Sequence, residues 1–431
     1  MRTTARRTTE LGLVVLVAIV TVGAYTLAGL GKSASLPADI GPFLAVILGL
    51  LLAAHVALRR LAPEADPVLL PIAGLLNGIG YVFIARLDTD LAALQANWTA
   101  LSTLAFVGTL LVVRRVRDLE PYRYTFMLVG LGLLLLPLTP GLGRVVHGAR
   151  LWVAVGPITF QPGELAKVAL AIFFAAYLVE KRELLSELRV ALGRLPRVRV
   201  VGPLLLAWGV SLLVMTAERD LGSSLLFFAL FVSMVWTATA RAEYLVAGTG
   251  LFAAGAVFAY STFGHVASRV QTWIDPWSRA TGAGYQLTQS LFAMGTGGFG
   301  GTGIGLGSPG RIPAATTDFI FAAVGEELGL LGTSALVVAY LLMVGVGLCI
   351  AVRAQHNFEK LLAAGLTTIV GIQTFIIVGG VTRLVPLTGI TLPFVSYGGS
   401  SLVANYVLLA LLLRISHDTA RRQAEQPAEA A

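Results

Sequence analysis

Apolar residues in this chain come in long runs, separated by short polar breaks that carry most of the charges, glycines and prolines. Twelve runs are close to the ~20 residues that a helix needs to cross a bilayer. They lie at about 11–30, 40–58, 67–84, 95–113, 122–138, 164–180, 201–216, 221–238, 244–260, 320–350, 361–380 and 397–415. This pattern predicts an all-α polytopic membrane protein of about twelve transmembrane helices. The first run follows Arg2, Arg6 and Arg7, as a signal peptide would. It is too long for a signal-peptide core and another span follows directly, so it is expected to stay in the protein.

Composition sharpens this. Hydrophobic residues make up 56% and charged residues 13%, with a mean hydropathy of +0.82. A soluble domain carries about a quarter charged residues, and a disordered chain needs the opposite balance. The net charge of +8 could suggest nucleic acid, but its distribution suggests a membrane. With the N-terminus placed inside, Arg59, Arg60, Arg114, Arg115, Arg117, Arg353 and most other basic residues fall in inner segments. That is the positive-inside pattern. It predicts two cytoplasmic termini, membrane lipids as surroundings and no nucleic-acid partner. The one cysteine, Cys349, and five scattered histidines give neither a disulfide framework nor metal-ligand spacing.

Three breaks are long: the basic amphipathic segment 181–200 falls on the expected inner face, and the other two fall on the outer face. One, 139–163, carries Arg144, Arg150 and Trp152; the other, 261–317, is the largest outer loop. Within it, Gly282 to Gly310 holds eleven glycines. Gly295 to Gly300 even fits G-x-G-x-x-G, but no βαβ unit surrounds it, so no dinucleotide site is expected. The glycines are better read as backbone packed closely or re-entering at membrane depth. Charges at span edges are costly and mark candidate sites. Glu164 and Lys167 share one helix face, Glu218 and Asp220 sit between two spans, and Asp318, Glu326 and Glu327 open a third. They could neutralise one another inside the bundle, or line one polar cavity open to the outer face.

Several ordered motifs resemble those of the SEDS proteins, the RodA, FtsW and SpoVE group of bacterial cell-wall polymerases. They are Trp152, Gly156-Pro157 and Phe160 to Lys167, then Asp220-Leu221-Gly222, then Gly284 to Ser290. Thr317 to Ala322, Gly325 to Gly329 and Leu392 to Ser401 follow. The resemblance is nearer the RodA type, in a longer branch with two further N-terminal spans. It implies two extra helices in 1–60, a glycosyltransferase core in 61–415 and a disordered cytoplasmic tail in 416–431. The implied activity joins disaccharide-pentapeptide units from lipid II and releases undecaprenyl pyrophosphate at the outer face of the cytoplasmic membrane. The implied partner is a class B penicillin-binding protein. A lipid II flippase, or a scaffold that only activates the transpeptidase, would use some of the same features.

Such chemistry needs a general base for the attacking sugar hydroxyl and positive charge for the pyrophosphate. A divalent cation could supply that charge, and so could Arg144, Arg150, Lys167, Arg219, Arg269, Arg279 or Arg383. Trp152, Trp273 and Trp277 could stack on sugars or form an interfacial belt. Glu164, Asp220, Tyr285, Gln286, Gln289, Ser290, Ser396, Tyr397 and Ser400 are the remaining candidates for binding substrate. For the base, Asp275 and Asp318 are the candidates. Members of the family commonly carry a second aspartate after the Asp275 position, and Arg279 stands there in this chain. An arginine cannot accept a proton. Asp275 acting in its place, Asp318 substituting, and loss of polymerase activity all remain open on sequence alone.

Overall fold

The structure is a computed structural model and describes residues 2–33, 40–146, 149–156, 158–187, 198–218 and 220–425. In chain order the helices begin with α1 (Arg2–Ser33), α2 (Ile40–Leu61), α3 (Leu69–Leu87), α4 (Thr89–Val112) and α5 (Arg123–Leu135). Next come α6 (Pro162–Glu180), α7 (Arg182–Glu187), α8 (Val198–Ala217), α9 (Leu221–Thr239) and α10 (Ala242–Thr262). The last are α11 (Gly264–Ile274), α12 (Tyr285–Gly297), α13 (Ile320–Arg353), α14 (Asn357–Val381) and α15 (Gly399–Glu425).

Each of the twelve expected spans coincides with a helix. Among the described residues, ten helices are long and apolar enough to cross a membrane. The other two expected spans fall in α4 and α8. Helix α4 buries Gln95, Thr99, Ser102 and Thr103, and it packs on α15, where the indole of Trp98 fills the space a Cβ would need at Gly399. Its polar side is thus spent inside the bundle rather than on lipid. In α8 the apolar stretch is the shorter Gly202–Val214.

Two expectations need correction. Segment 139–163 is not a plain loop: β1 (Gly143–Val146), β2 (Ala149–Val155) and β3 (Ile158–Phe160) form an antiparallel sheet in the order β1-β2-β3. Its β-branched residues suit pleated backbone, and Arg144 lies opposite Trp152 in the register. The expected disordered tail is also helical from 416 to 425, because α15 continues to Glu425. Arg414 on that helix donates to the terminal carbonyls Leu61 O and Leu110 O, a favourable place for a cation. An Arg421–Glu425 pair at 2.8 Å supports the last turn. Residues 426–431 lie outside the described residues.

The chain divides into two compact units. One holds Met1–Val112, Ser268–Val346 and Gln373–Ala431; the other holds Val113–Ala267 and Gly347–Ile372. In the second unit, α5 and α6 pack closely at Gly130, where a Cβ would press on Leu170. Phe173, Phe174 and Tyr177 of α6 form its buried aromatic row.

In the first unit the glycine-rich stretch repairs a broken helix. Helix α13 is interrupted at Gly329 (φ 64°, ψ −161°), a conformation that glycine adopts without a Cβ penalty. In an unbroken helix Leu330 and Leu331 would donate to Glu326 and Glu327. Here they donate to Gly298 O (2.9 Å) and Phe299 O (3.2 Å), and the freed carbonyls of Glu326 and Glu327 accept from Thr302 and Gly303, each at 3.0 Å. Re-entering backbone therefore satisfies all four groups, as apolar surroundings require. The expected close packing of glycines is found here.

Candidate functional site

The first unit carries most of the candidate residues. Arg269 and Trp273 lie one turn apart on α11 and so share a face. The indole of Trp273 donates to Arg383 O at 3.0 Å, and Arg383 donates back to Trp273 O at 2.8 Å and to Ile274 O. Arg383 has a left-handed φ of 63°, which this reciprocal grip maintains. Arg269 Nη1 donates to Leu387 O (3.1 Å) and Thr388 O (2.7 Å). Among the described residues this leaves its Nε and Nη2 hydrogens for an anion.

The same 383–398 segment is held from other sides. Ser396 Oγ donates to Thr317 O at 2.6 Å, and Tyr397 N–H donates to Thr316 O at 2.8 Å. Gln373 reaches Thr391 O at 2.8 Å, and Tyr340 reaches Pro393 O at 2.5 Å. These ties bring exposed Gly389 (φ 78°) beside Asp318 and Arg269. A Cβ at Gly389 would lie 3.6 Å from Asp318 Oδ2 and 3.7 Å from both terminal nitrogens of Arg269. The result is a carboxylate and a guanidinium flanking a patch with no side chain of its own. Asp318 also precedes α13 by two residues.

Asp275 is placed differently. It is exposed, and its carboxylate accepts from Trp277 N–H (3.2 Å) and Ser278 N–H (3.3 Å). Hydrogen bonds from Ser278, foremost its backbone N–H, hold its pKa below the usual carboxylate value, which makes it a weaker base. Arg279 is engaged with Gln271 Oε1 at 2.5 Å. Tyr285, Gln286 and Trp277 are exposed and Gln289 is half-buried. Ser290 is fully buried and donates to Leu287 O within α12. Ser396 is likewise consumed by its two backbone bonds, Ser400 is buried, and Tyr397 is hydrogen-bonded by Trp98.

The second unit holds the other candidates. Lys167 Nζ sits 2.5 Å from Glu164 Oε2, with both side chains buried. Of the two earlier readings of this pair, mutual neutralisation fits the geometry. Arg144 and Arg150 are exposed on the sheet and Trp152 is half-buried beside them. Asp220 caps α9 by accepting from Ser223 N–H at 2.9 Å. Buried Glu218 next to it has its pKa pushed up to about 8, by burial first and by the Asp220 charge second. Among the described residues no group of three or more His, Cys, Asp or Glu side chains gathers as metal ligands.

Sequence reading missed Arg86 and Gly389. Arg86 Nε pairs with buried Glu327 at 2.7 Å and its guanidinium donates to Gly307 O at 2.8 Å. The clue was available: two adjacent glutamates inside an apolar run need a cation or backbone donors.

Fold and site together define a polytopic membrane protein with an acid–cation patch at the end of a broken helix. The chain belongs to the cell cycle protein family of FtsW, RodA and SpoVE, whose family model matches residues 68–421. It is 45% identical over 435 residues to the peptidoglycan glycosyltransferase RodA of Mycobacterium tuberculosis, covering 98% of this chain and 93% of that protein. It is 37% identical over 287 residues to a probable peptidoglycan glycosyltransferase FtsW of Geobacter sp. strain M18, covering 66% and 76%. Among solved structures, it resembles a chain from work on how a peptidoglycan synthase complex coordinates polymerization and crosslinking. The TM-score is 0.67 at 26% identity, over 82% of this chain and 98% of that one. A Thermus thermophilus rod shape determining protein RodA, crystallised as an aspartate-to-alanine mutant, shares the fold with a TM-score of 0.60 at 24% identity, over the same shares.

Proposed function

We propose that this chain is a peptidoglycan glycosyltransferase that elongates glycan strands from lipid II in the bacterial cytoplasmic membrane. The 45% identity to a RodA glycosyltransferase over nearly the whole chain carries this class. In this reading the termini are cytoplasmic and the Asp318 patch faces outward, where lipid II and a class B penicillin-binding protein meet it. Helices α1 and α2 are additions to a core that begins near residue 61.

The C4 hydroxyl of the acceptor sugar attacks the anomeric carbon of the donor. Its proton passes to a carboxylate, the bond from that carbon to the pyrophosphate oxygen breaks, and undecaprenyl pyrophosphate leaves. Asp318 takes the proton. Its position beside Arg269 supports this role, whereas hydrogen bonds from Ser278 hold the Asp275 pKa low. The remaining N–H groups of Arg269 stabilise negative charge on the departing pyrophosphate. Arg279 takes no part in proton transfer.

The test is incubation of purified protein and its transpeptidase with labelled lipid II in vesicles. Glycan strands on a gel support polymerisation. Lipid II crossing the bilayer without strands indicates a flippase, and neither product indicates a scaffold.

A further inference from the structure

The glycine-rich loop is seated in a socket that the two N-terminal helices help to build. Ile304 packs against a cluster that includes Tyr25 and Ala28 of α1, Ile47 of α2, Tyr81 of α3 and Ala96 of α4. Tyr25 and Tyr81 stack with ring centres 6.4 Å apart and form one wall. Beside this plug the two backbones touch. A Cβ on Gly31, near the end of α1, would run into the carbonyl oxygen of Ile304. A Cβ on Gly305 (φ 83°) would lie 2.6 Å from Ala28 O and 3.2 Å from Gly31 Cα.

The opposite side of the loop is clamped by buried charge. Gly305 N–H donates to Glu327 Oε2 at 3.0 Å and Ser308 N–H to Glu326 Oε1 at 2.6 Å, while Arg86 holds Glu327 and Gly307 O together. From Ser308 onward the backbone is a succession of turns. Arg311 bonds to Ser308 O, Ile312 to Pro309 O, Ala315 to Ile312 O and Thr317 to Ala314 O, all at 3.0–3.2 Å. The next residue is Asp318. A shift of Ile304 therefore has a short, hydrogen-bonded route to that carboxylate.

We propose that α1 and α2, which precede the part of the chain matched by the family, form a socket that sets the glycine-rich loop and through it Asp318. Ile304 and Gly31 are positioning residues for the reaction. The inference rests on the glycosyltransferase reading with Asp318 as base. It does not make the N-terminal pair a membrane anchor alone.

The experiment uses the full-length protein with its transpeptidase in nanodiscs. Gly31→Leu wedges the contact, Ile304→Ala removes the plug as a milder change, and Ile304→Val is the conservative control. Gly23→Leu is the control on α1, since open space surrounds Gly23. Two readings are taken: kcat and KM for lipid II polymerisation, and amide exchange across residues 301–310. Gly31→Leu and Ile304→Ala are expected to lower kcat by about tenfold or more with KM within about twofold, and to speed exchange in the loop. Ile304→Val and Gly23→Leu are expected to behave as wild type. Unchanged exchange, or faster exchange with unchanged kcat, overturns the inference. Wild type that makes no strands overturns the glycosyltransferase reading instead, and exchange then still decides whether the socket holds the loop.

Discussion

Asp318 and Arg269 meet at Gly389, a residue whose φ of 78° and lack of a side chain keep the space between carboxylate and guanidinium open. A methyl group there would enter the space where the account puts the reacting hydroxyl. Gly389→Ala is expected to cost about 1–2 kcal/mol from the left-handed backbone. It should also lower strand synthesis by about tenfold or more through displaced groups. Thermal unfolding and polymerisation rates of the same preparation check both parts.

Glu218 predicts a pH dependence of stability. In the unfolded chain it titrates near its ordinary value of 4.5, whereas burial and Asp220 push it up to about 8 in the folded protein. Between those values the unfolded state binds fewer protons, so the contribution of Glu218 to stability falls as pH rises from about 4.5 to about 8, then levels off. Glu218→Gln removes that fall. The variant is expected to match wild type in acid and to be more stable than wild type at pH 8, measured by unfolding in detergent across pH.

The Glu164–Lys167 pair is buried on both sides. Lys167→Met leaves the carboxylate uncompensated and should cost about 3–5 kcal/mol, whereas Glu164→Leu with Lys167→Met should cost far less. A double-mutant cycle on unfolding free energy measures this. A role of Lys167 limited to binding pyrophosphate would instead leave stability unchanged in the single variant.

Arg279 is bound to Gln271 and has no place in the proposed proton transfer. Arg279→Ala is therefore expected to change the polymerisation rate by less than about tenfold, ~1.4 kcal/mol. The check is a steady-state rate at saturating lipid II.

The spans were legible because a bilayer-crossing helix must bury its backbone hydrogen bonds and face lipid with apolar side chains. The exceptions follow from the same physics. Helix α4 hides polar residues such as Gln95 and Ser102 against its neighbours, and local composition cannot reveal a neighbour. The sheet at 143–160 is short, and its Arg144–Trp152 register depends on pairing between strands. In the site, Asp318 and Arg269 could be named as candidates from their types and predicted face. Their meeting at Gly389 depends on residues more than a hundred positions apart along the chain. Asp275 was also open as the base on sequence alone, and the bonds from Trp277 and Ser278 N–H to its carboxylate depend on the geometry of its turn. The hydroxyls of Ser290 and Ser396 donate to backbone carbonyls, a use that residue type alone does not reveal.

The most direct test of the account compares lipid II polymerisation by wild type, Asp318→Asn and Asp275→Asn, each purified with a transpeptidase whose active-site serine has been removed. The account predicts glycan strands from wild type and Asp275→Asn, and a rate lower by about 10²-fold or more in Asp318→Asn, as expected on losing a general base. Full activity in Asp318→Asn together with loss in Asp275→Asn would contradict it.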